Sequence, residues 1–305
     1  MSVTIYTHPS CREHDTGEGH PESPSRLAAV LETLAEAPFA GLPRAQAPRA
    51  TRAQLARVHA PSLIERVLDP DAPAWRPLDA DTWMSPGSAE AALRAAGAVV
   101  AAVDAALADP RRRAFCAVRP PGHHATPDSA MGFCLFNNVA VGAAHALAHG
   151  LERVAIIDFD VHHGNGTQDI FWDDPRVLYA SSHQSPLYPG SGAREETGAG
   201  NIVNAPLLPD SGSAAFRAAY EILLLPALEA FAPQLVLISA GFDAHRLDPL
   251  ANLNLDAGDY AWLTTRLVDL AGRHAQGRLV SSLEGGYSLT ALRESTAAHV
   301  GALLG

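Results

Sequence analysis

Cysteine is scarce in this sequence: Cys11, Cys116 and Cys134 are the only three in 305 residues. An odd count leaves at least one unpaired, and none sits at metal-ligand spacing. Neither a disulfide framework nor a cysteine metal site is expected, and a reducing, cytoplasmic compartment is. Positive charge is also in deficit, with 22 basic residues against 33 acidic ones and a formal net charge of −11. That balance argues against a nucleic-acid partner, which needs clustered basic residues. The single basic cluster, Arg111-Arg112-Arg113, reads as a solvated loop between a helix and a strand. Long uncharged apolar runs are missing too. The longest helical one, Ala89 to Ala108, is interrupted by Glu90, Arg94 and Asp104, so no membrane span is expected. The opening SVTIYTHPS is too short and polar for a secretory core.

What remains is a chain with 47% hydrophobic and 18% charged residues, enough apolar surface for a substantial core. Short β-type runs alternate with helical patterns. Strands are expected over Val3–Tyr6, Arg44–Ala47, Ala114–Val118, Val154–Phe159, Val177–Ser181, Ile202–Asn204, Leu235–Ala240 and Leu279–Leu283. Helices are expected over Ser23–Glu36, Ser88–Ala108, Asn138–His149, Ser213–Phe231, Ala257–Arg273 and Leu289–Leu304, with Asp69–Pro86 as a long Pro-rich surface loop. Runs such as LVLISA and VAIIDF are apolar on both faces, as in a parallel sheet covered by helices on each side. The reading is an α/β layered fold in one domain, residues 1–305.

Polar residues gather where these strands end: His123-His124, Asp158 to His163, His183, Asp243, and Glu284 to Tyr287. Open α/β sheets bind ligands outside the carboxyl ends of their strands, so an active site is expected along this edge. In Asp158-Phe159-Asp160-Val161-His162, residues two apart share one face of an extended chain. Two carboxylates and an imidazole converging there call for a cation. The alternative is a polar turn capping a helix that starts near Asn165. Asp243, just past an apolar strand, supplies a third ligand if it is not simply a helix cap. Such a set is normal for catalytic zinc with one open position, and it also suits Fe(II) or Co(II). His123 and His124 stand on a turn stiffened by Pro120, Pro121 and Gly122, where imidazoles can act as base and acid. Tyr287, after Gly285-Gly286, can donate to a developing oxyanion, or merely pack. His8, His14, His145, His149, His274 and His299 read as structural or exposed.

The segments RPPGHHA, MGFCLFNNVA, DFDVHHGNGTQ, YPGSG, NIVNAPL, SAGFDAHRLDPL and EGGY, in this order, resemble the histone deacetylase family, nearest its class II and bacterial members. The opening CREHDTGEGHPESPSRL is similar to the family's N-terminal region, with Ser23 where a basic residue is frequent. The resemblance covers nearly the whole chain. It implies the three-layer arginase-deacetylase fold, with a central eight-stranded, mostly parallel sheet flanked by helices. It also implies that Asp160, His162 and Asp243 bind zinc and that His124 is the main general base and acid. His123 then pairs with Asp158, Asn165 orients the other histidine, and Tyr287 polarises the scissile carbonyl. Gly132, Phe133 and Tyr188 would line the acyl tunnel, with Leu250 at its mouth. A structural potassium ion is implied at Asp158, Asp160, His162, Ser181 and Ser182.

The implied reaction is hydrolysis of an N-acyl amide to a carboxylate and a free amine. Acyl-lysine in a protein or peptide, an acetylpolyamine and another small acylated amine all remain open as substrate. Leu250 offers a distal ammonium no countercharge, which favours acyl-lysine. Two other functions compete. A binuclear manganese ureohydrolase would need an acid where His245 stands, and a non-catalytic binding module would not need the complete set of site residues.

Overall fold

The computed structural model describes residues 2–305. Its strands, in chain order, are β1 (Ser2–Thr7), β2 (Arg44–Gln46), β3 (Arg76–Pro77), β4 (Trp83–Met84), β5 (Arg112–Cys116), β6 (Val154–Asp158), β7 (Val177–Gln184), β8 (Ile202–Leu207), β9 (Leu235–Ala240) and β10 (Leu279–Leu283). The helices are α1 (Pro24–Ala35), α2 (Arg52–Leu55), α3 (Pro61–Leu68), α4 (Ser88–Ala108), α5 (Asn138–Ala148), α6 (Asn165–Ile170), α7 (Ser213–Ala219), α8 (Leu225–Phe231), α9 (Ala257–His274) and α10 (Leu289–Leu304).

Eight strands form one sheet in the order β2-β1-β5-β10-β9-β6-β7-β8, and every neighbouring pair is parallel. Parallel pairing requires crossover helices, and these cover both faces. α4 and α5 pack together and onto β5, β10, β6 and β9, while α9, α10 and α1 pack together and reach the sheet through β9 and β1. Every residue of β6, β9 and β10 is buried, which is why these strands read as unbroken apolar runs. The fold is the expected α/β sandwich of helices around an eight-stranded sheet.

Several local expectations need correction. Arg112 and Arg113 lie in β5, not in a loop, and Arg113 is buried with its guanidinium donating to the Leu303 carbonyl at 2.6 Å. The expected helix over 213–231 is interrupted by a π turn, Tyr220–Leu224, between α7 and α8. Pro226 has no N–H to give the Ile222 carbonyl, so the regular ladder cannot run through this point. The segment 69–86 holds the β3–β4 hairpin, and Asp81 at its tip lines a cavity at the carboxyl edge of the sheet. By length and composition α4 would pass for a membrane span despite its charges. Its packing decides otherwise: Ala95, Ala96, Val99 and Val103 are buried within the core.

Candidate active site

The carboxyl edge of the sheet delivers the expected residues to one place. β6 ends at Asp158, and the chain turns immediately so that Asp160 and His162 face the end of β9, from which Asp243 follows. Asp160, His162 and Asp243 each offer a donor atom, and these lie within 4.8 Å of one another. His162 Nδ1 is 3.2 Å from both Asp160 Oδ1 and Asp243 Oδ2. The backbone fixes the carboxylates: Gly285 N–H donates to Asp160 Oδ2 at 2.8 Å and Val161 N–H to Asp243 Oδ1 at 2.8 Å. Gly241 and Gly285 make this approach possible, because a Cβ on either would run into the Asp160 or Asp243 carboxylate.

The electrostatics of this cluster favour a cation. Burial works against a proton on His162, but hydrogen bonds to Asp160 and Asp243, and their charges, push it up to about 10. Burial and the charge of Asp160 push Asp243 up to about 7. Two carboxylates in a dry site hold positive charge wherever it is available, and a divalent ion meets that demand with all three donors at once. The donor set therefore fits a metal.

Beside this cluster, the rings of His123 and His124 are 4.0 Å apart. His123 Nδ1 is 3.0 Å from Asp158 Oδ2, and the Tyr179 hydroxyl donates to the same oxygen at 3.1 Å. His124 Nδ1 is 2.8 Å from Asn165 Oδ1. An amide oxygen only accepts, so Nδ1 carries the proton and Nε2 of His124 is bare. Burial lowers the His124 imidazole, and the neighbouring His123 and His162 lower it further, well below 6.5. Burial opposes a proton on His123 as well, but Asp158 and Asp160 overcome it and raise that ring well above 6.5. The pair thus divides into a charged and a neutral imidazole.

Tyr287 closes the other side. Burial raises its hydroxyl well above 10, against the lowering effect of Arg26, so it stays a donor. The Arg26 guanidinium lies 4.9 Å from the ring centroid, and Asp248 Oδ2 accepts the Tyr287 N–H at 2.7 Å. Above these groups opens a cavity of about 210 Å³ lined by Asp81, His124, Gly132, Phe133, His162, Tyr188 and Tyr287. Gly132 and Phe133 both take positive φ, +55° and +68°, and the Phe133 N–H is held by Thr82 Oγ1 at 2.9 Å. A side chain on Gly132 would strike the His124 ring. The Tyr188 ring meets the His124 ring edge-on at 5.2 Å.

Leu250 is not among the residues lining this cavity; it sits on the adjoining loop, its N–H on Asp248 Oδ1. Asp158 and Ser181 are register partners on β6 and β7, with Ser182 next along β7. Several supporting residues were given no role by the sequence, although Glu22, Asp248 and Glu284 lie inside the motifs. Asp81 comes from the β3–β4 hairpin tip, Asp248 and Tyr179 hold backbone and side chain, and Glu284 accepts the N–H groups of Gly122 and His123 at 2.6 and 3.2 Å. Glu22, fully buried, bridges Arg119 and Arg26.

The carboxyl edge of the sheet thus carries a candidate metal centre beneath a narrow pocket lined by Phe133, Tyr188 and Tyr287. Residues 20–303 match the histone deacetylase domain. The chain is 44% identical over 279 residues to a histone deacetylase-like amidohydrolase of Pseudomonas aeruginosa, covering 88% of this chain and 73% of that one. It is 39% identical over 296 residues to a probable deacetylase of Archaeoglobus fulgidus, covering 95% and 82%. The crystal structure of the HDA15 HD domain superposes with a TM-score of 0.94 at 37% identity, covering 99% of this chain and 88% of that one. The chain belongs to the histone deacetylase family, a family of deacetylases and amidohydrolases.

Proposed function

We propose that residues 1–305 form one catalytic domain that hydrolyses an N-acyl amide, acetyl foremost, on a lysine side chain, using one zinc ion held by Asp160, His162 and Asp243. The observation that carries this reading is the convergence of that triad, the bare Nε2 of His124 and the Tyr287 hydroxyl at the base of the 210 Å³ cavity. Bound zinc supplies Lewis acidity and makes water a usable nucleophile near neutral pH. His124 Nε2 takes a proton from the attacking water, with Asn165 fixing the tautomer. Tyr287 donates to the oxyanion that develops on the acyl carbonyl, where its hydrogen bond strengthens most. The imidazolium formed at His124 then returns its proton to the departing amine. His123, charged against Asp158, stabilises negative charge beside it. Phe133 and Tyr188 hold the alkyl stem of the substrate and exclude water. We also propose potassium at Asp158, Asp160, His162, Ser181 and Ser182, where β6 and β7 meet, and a cytoplasmic location, in keeping with three unpaired, buried cysteines.

One observation favours a second reading, an acylated polyamine or other cationic amine. Asp81 lines the cavity and, with Asp79, raises the Tyr188 hydroxyl beyond the effect of burial, so the mouth does carry the countercharge that Leu250 lacks. Turnover of acetyl-lysine, longer acyl-lysine and trifluoroacetyl-lysine peptides beside acetylpolyamines separates the two. A higher kcat/KM on the peptides supports the first reading. Preference for the polyamines supports the second, and turnover of none of them sinks both.

A further inference from the structure

A second group of metal-ligating side chains lies at the far end of α5, away from the pocket. His145 in the last turn of α5 and His149, which caps the helix, are four residues apart and share one face. Their ring centroids are 4.1 Å apart. Asp104, on the packed neighbour α4, places Oδ1 2.7 Å from His145 Nε2. The three side chains each offer a ligand atom, all within 4.8 Å of one another.

The site is built rather than accidental. His149 Nδ1 is 2.8 Å from the His145 carbonyl, which can only accept, so Nδ1 carries the proton and Nε2 is left bare for a ligand. A backbone carbonyl on the non-ligating nitrogen is the usual device for orienting a metal-binding imidazole. His145 is buried and cannot turn away, while Asp104 and His149 are open to solvent and leave an entry path. The negative end of the α5 dipole points at the same spot, which favours a cation there.

We infer that Asp104, His145 and His149 form a second, surface-accessible site for a divalent transition-metal ion such as zinc. Two imidazoles and one carboxylate are an ordinary zinc set, with water completing the coordination. Arg57 regulates it. Its Nη1 is 2.8 Å from His145 Nδ1, and a guanidinium can only donate, so His145 is now protonated on Nε2, facing Asp104. For Nε2 to bind the ion, that proton leaves Nε2, Nδ1 gains one, and Arg57 swings into solvent. Arg57 is exposed and free to do so.

The test is a zinc titration of the full-length protein by isothermal calorimetry, with bound zinc counted after desalting. Wild type should hold one more ion per chain than the Asp104→Asn/His149→Ala variant, whatever the central site holds. Each single variant should weaken that binding event about 10-fold or more. Arg57→Ala should tighten it several-fold, which a merely structural arginine would not do. Both altered ligands are exposed, so the variants should keep the wild-type melting temperature and its turnover of acyl substrate. Equal zinc counts in wild type and the double variant would overturn the proposal. Weaker binding in Arg57→Ala would overturn the role given to Arg57.

Discussion

Glu284 accepts the Gly122 N–H at 2.6 Å, tying the end of β10 to the turn that carries His123 and His124 across 162 residues of sequence. The same carboxylate takes the His123 N–H and the Ser239 hydroxyl, so one buried group sets the height of the histidine pair relative to β9 and β10. Replacing Glu284 with Ala leaves two buried N–H groups unpaired, at about 1–3 kcal/mol each. Glu284→Ala should lower the melting temperature and cut kcat more than it raises KM. Wild-type stability and turnover would show that the turn holds itself.

Tyr287→Phe removes the hydroxyl but keeps the ring beneath Arg26. Loss of one oxyanion donor should lower kcat by roughly 10²–10³, with KM changing far less. Steady-state kinetics on an acetyl-lysine peptide provides the check. An unchanged kcat would reduce Tyr287 to a packing residue.

The Glu22 bridge makes stability depend on pH in a defined window. Burial alone would raise its carboxyl, but the charge and hydrogen bonds of Arg119, and the charge of Arg26, bring it down to about 2. A carboxyl depressed in the folded state stabilises the fold above its unfolded value near 4.5, and that stability is lost as pH falls toward 2. The contribution is on the order of a few kcal/mol. Glu22→Gln should therefore be less stable at pH 7 and show a flatter fall in stability between pH 4.5 and 2. Parallel wild-type and variant curves in urea melts across that range would refute the assignment.

Leu250→Glu tests the mouth of the pocket. A carboxylate there should attract a distal ammonium, but exposure limits the gain to ~1 kcal/mol or less. The ratio of kcat/KM for acetylpolyamine over acetyl-lysine peptide should rise several-fold at low salt, where screening is weakest. Because Asp81 already lines the cavity, Asp81→Asn should move the same ratio the other way. A ratio indifferent to Leu250→Glu places that residue outside substrate contact.

Much of this was legible in the sequence, and what was hidden has a common cause. β9 and β10 match the expected spans to the residue because burial on both faces leaves them free of charged residues. β7 runs past the expected Ser181: Ser182, His183 and Gln184 are polar, yet they remain in the strand because Tyr220, the Gly192 carbonyl and the Asn252 N–H satisfy them. α3 gives little sequence signal, although Leu63, Ile64 and Val67 give it a buried face, because it spans only two turns between prolines and a loop. The groups proposed to meet the reactants lie in dense local motifs. The groups that hold them, Glu22, Arg26, Asp81, Tyr179, Asp248 and Glu284, act across the fold. Their partners are chosen by the sheet order, which no local pattern records.

One metal ion on Asp160, His162 and Asp243 is proposed to drive hydrolysis. The most direct measurement strips the protein with a chelator, returns zinc in sub-stoichiometric steps, and follows turnover against zinc bound. Activity should be absent in the stripped protein and rise linearly to a plateau at one ion per chain for the central site. Asp243→Asn protein should recover none of it. Full turnover in metal-free protein, or full recovery in Asp243→Asn, would contradict the account.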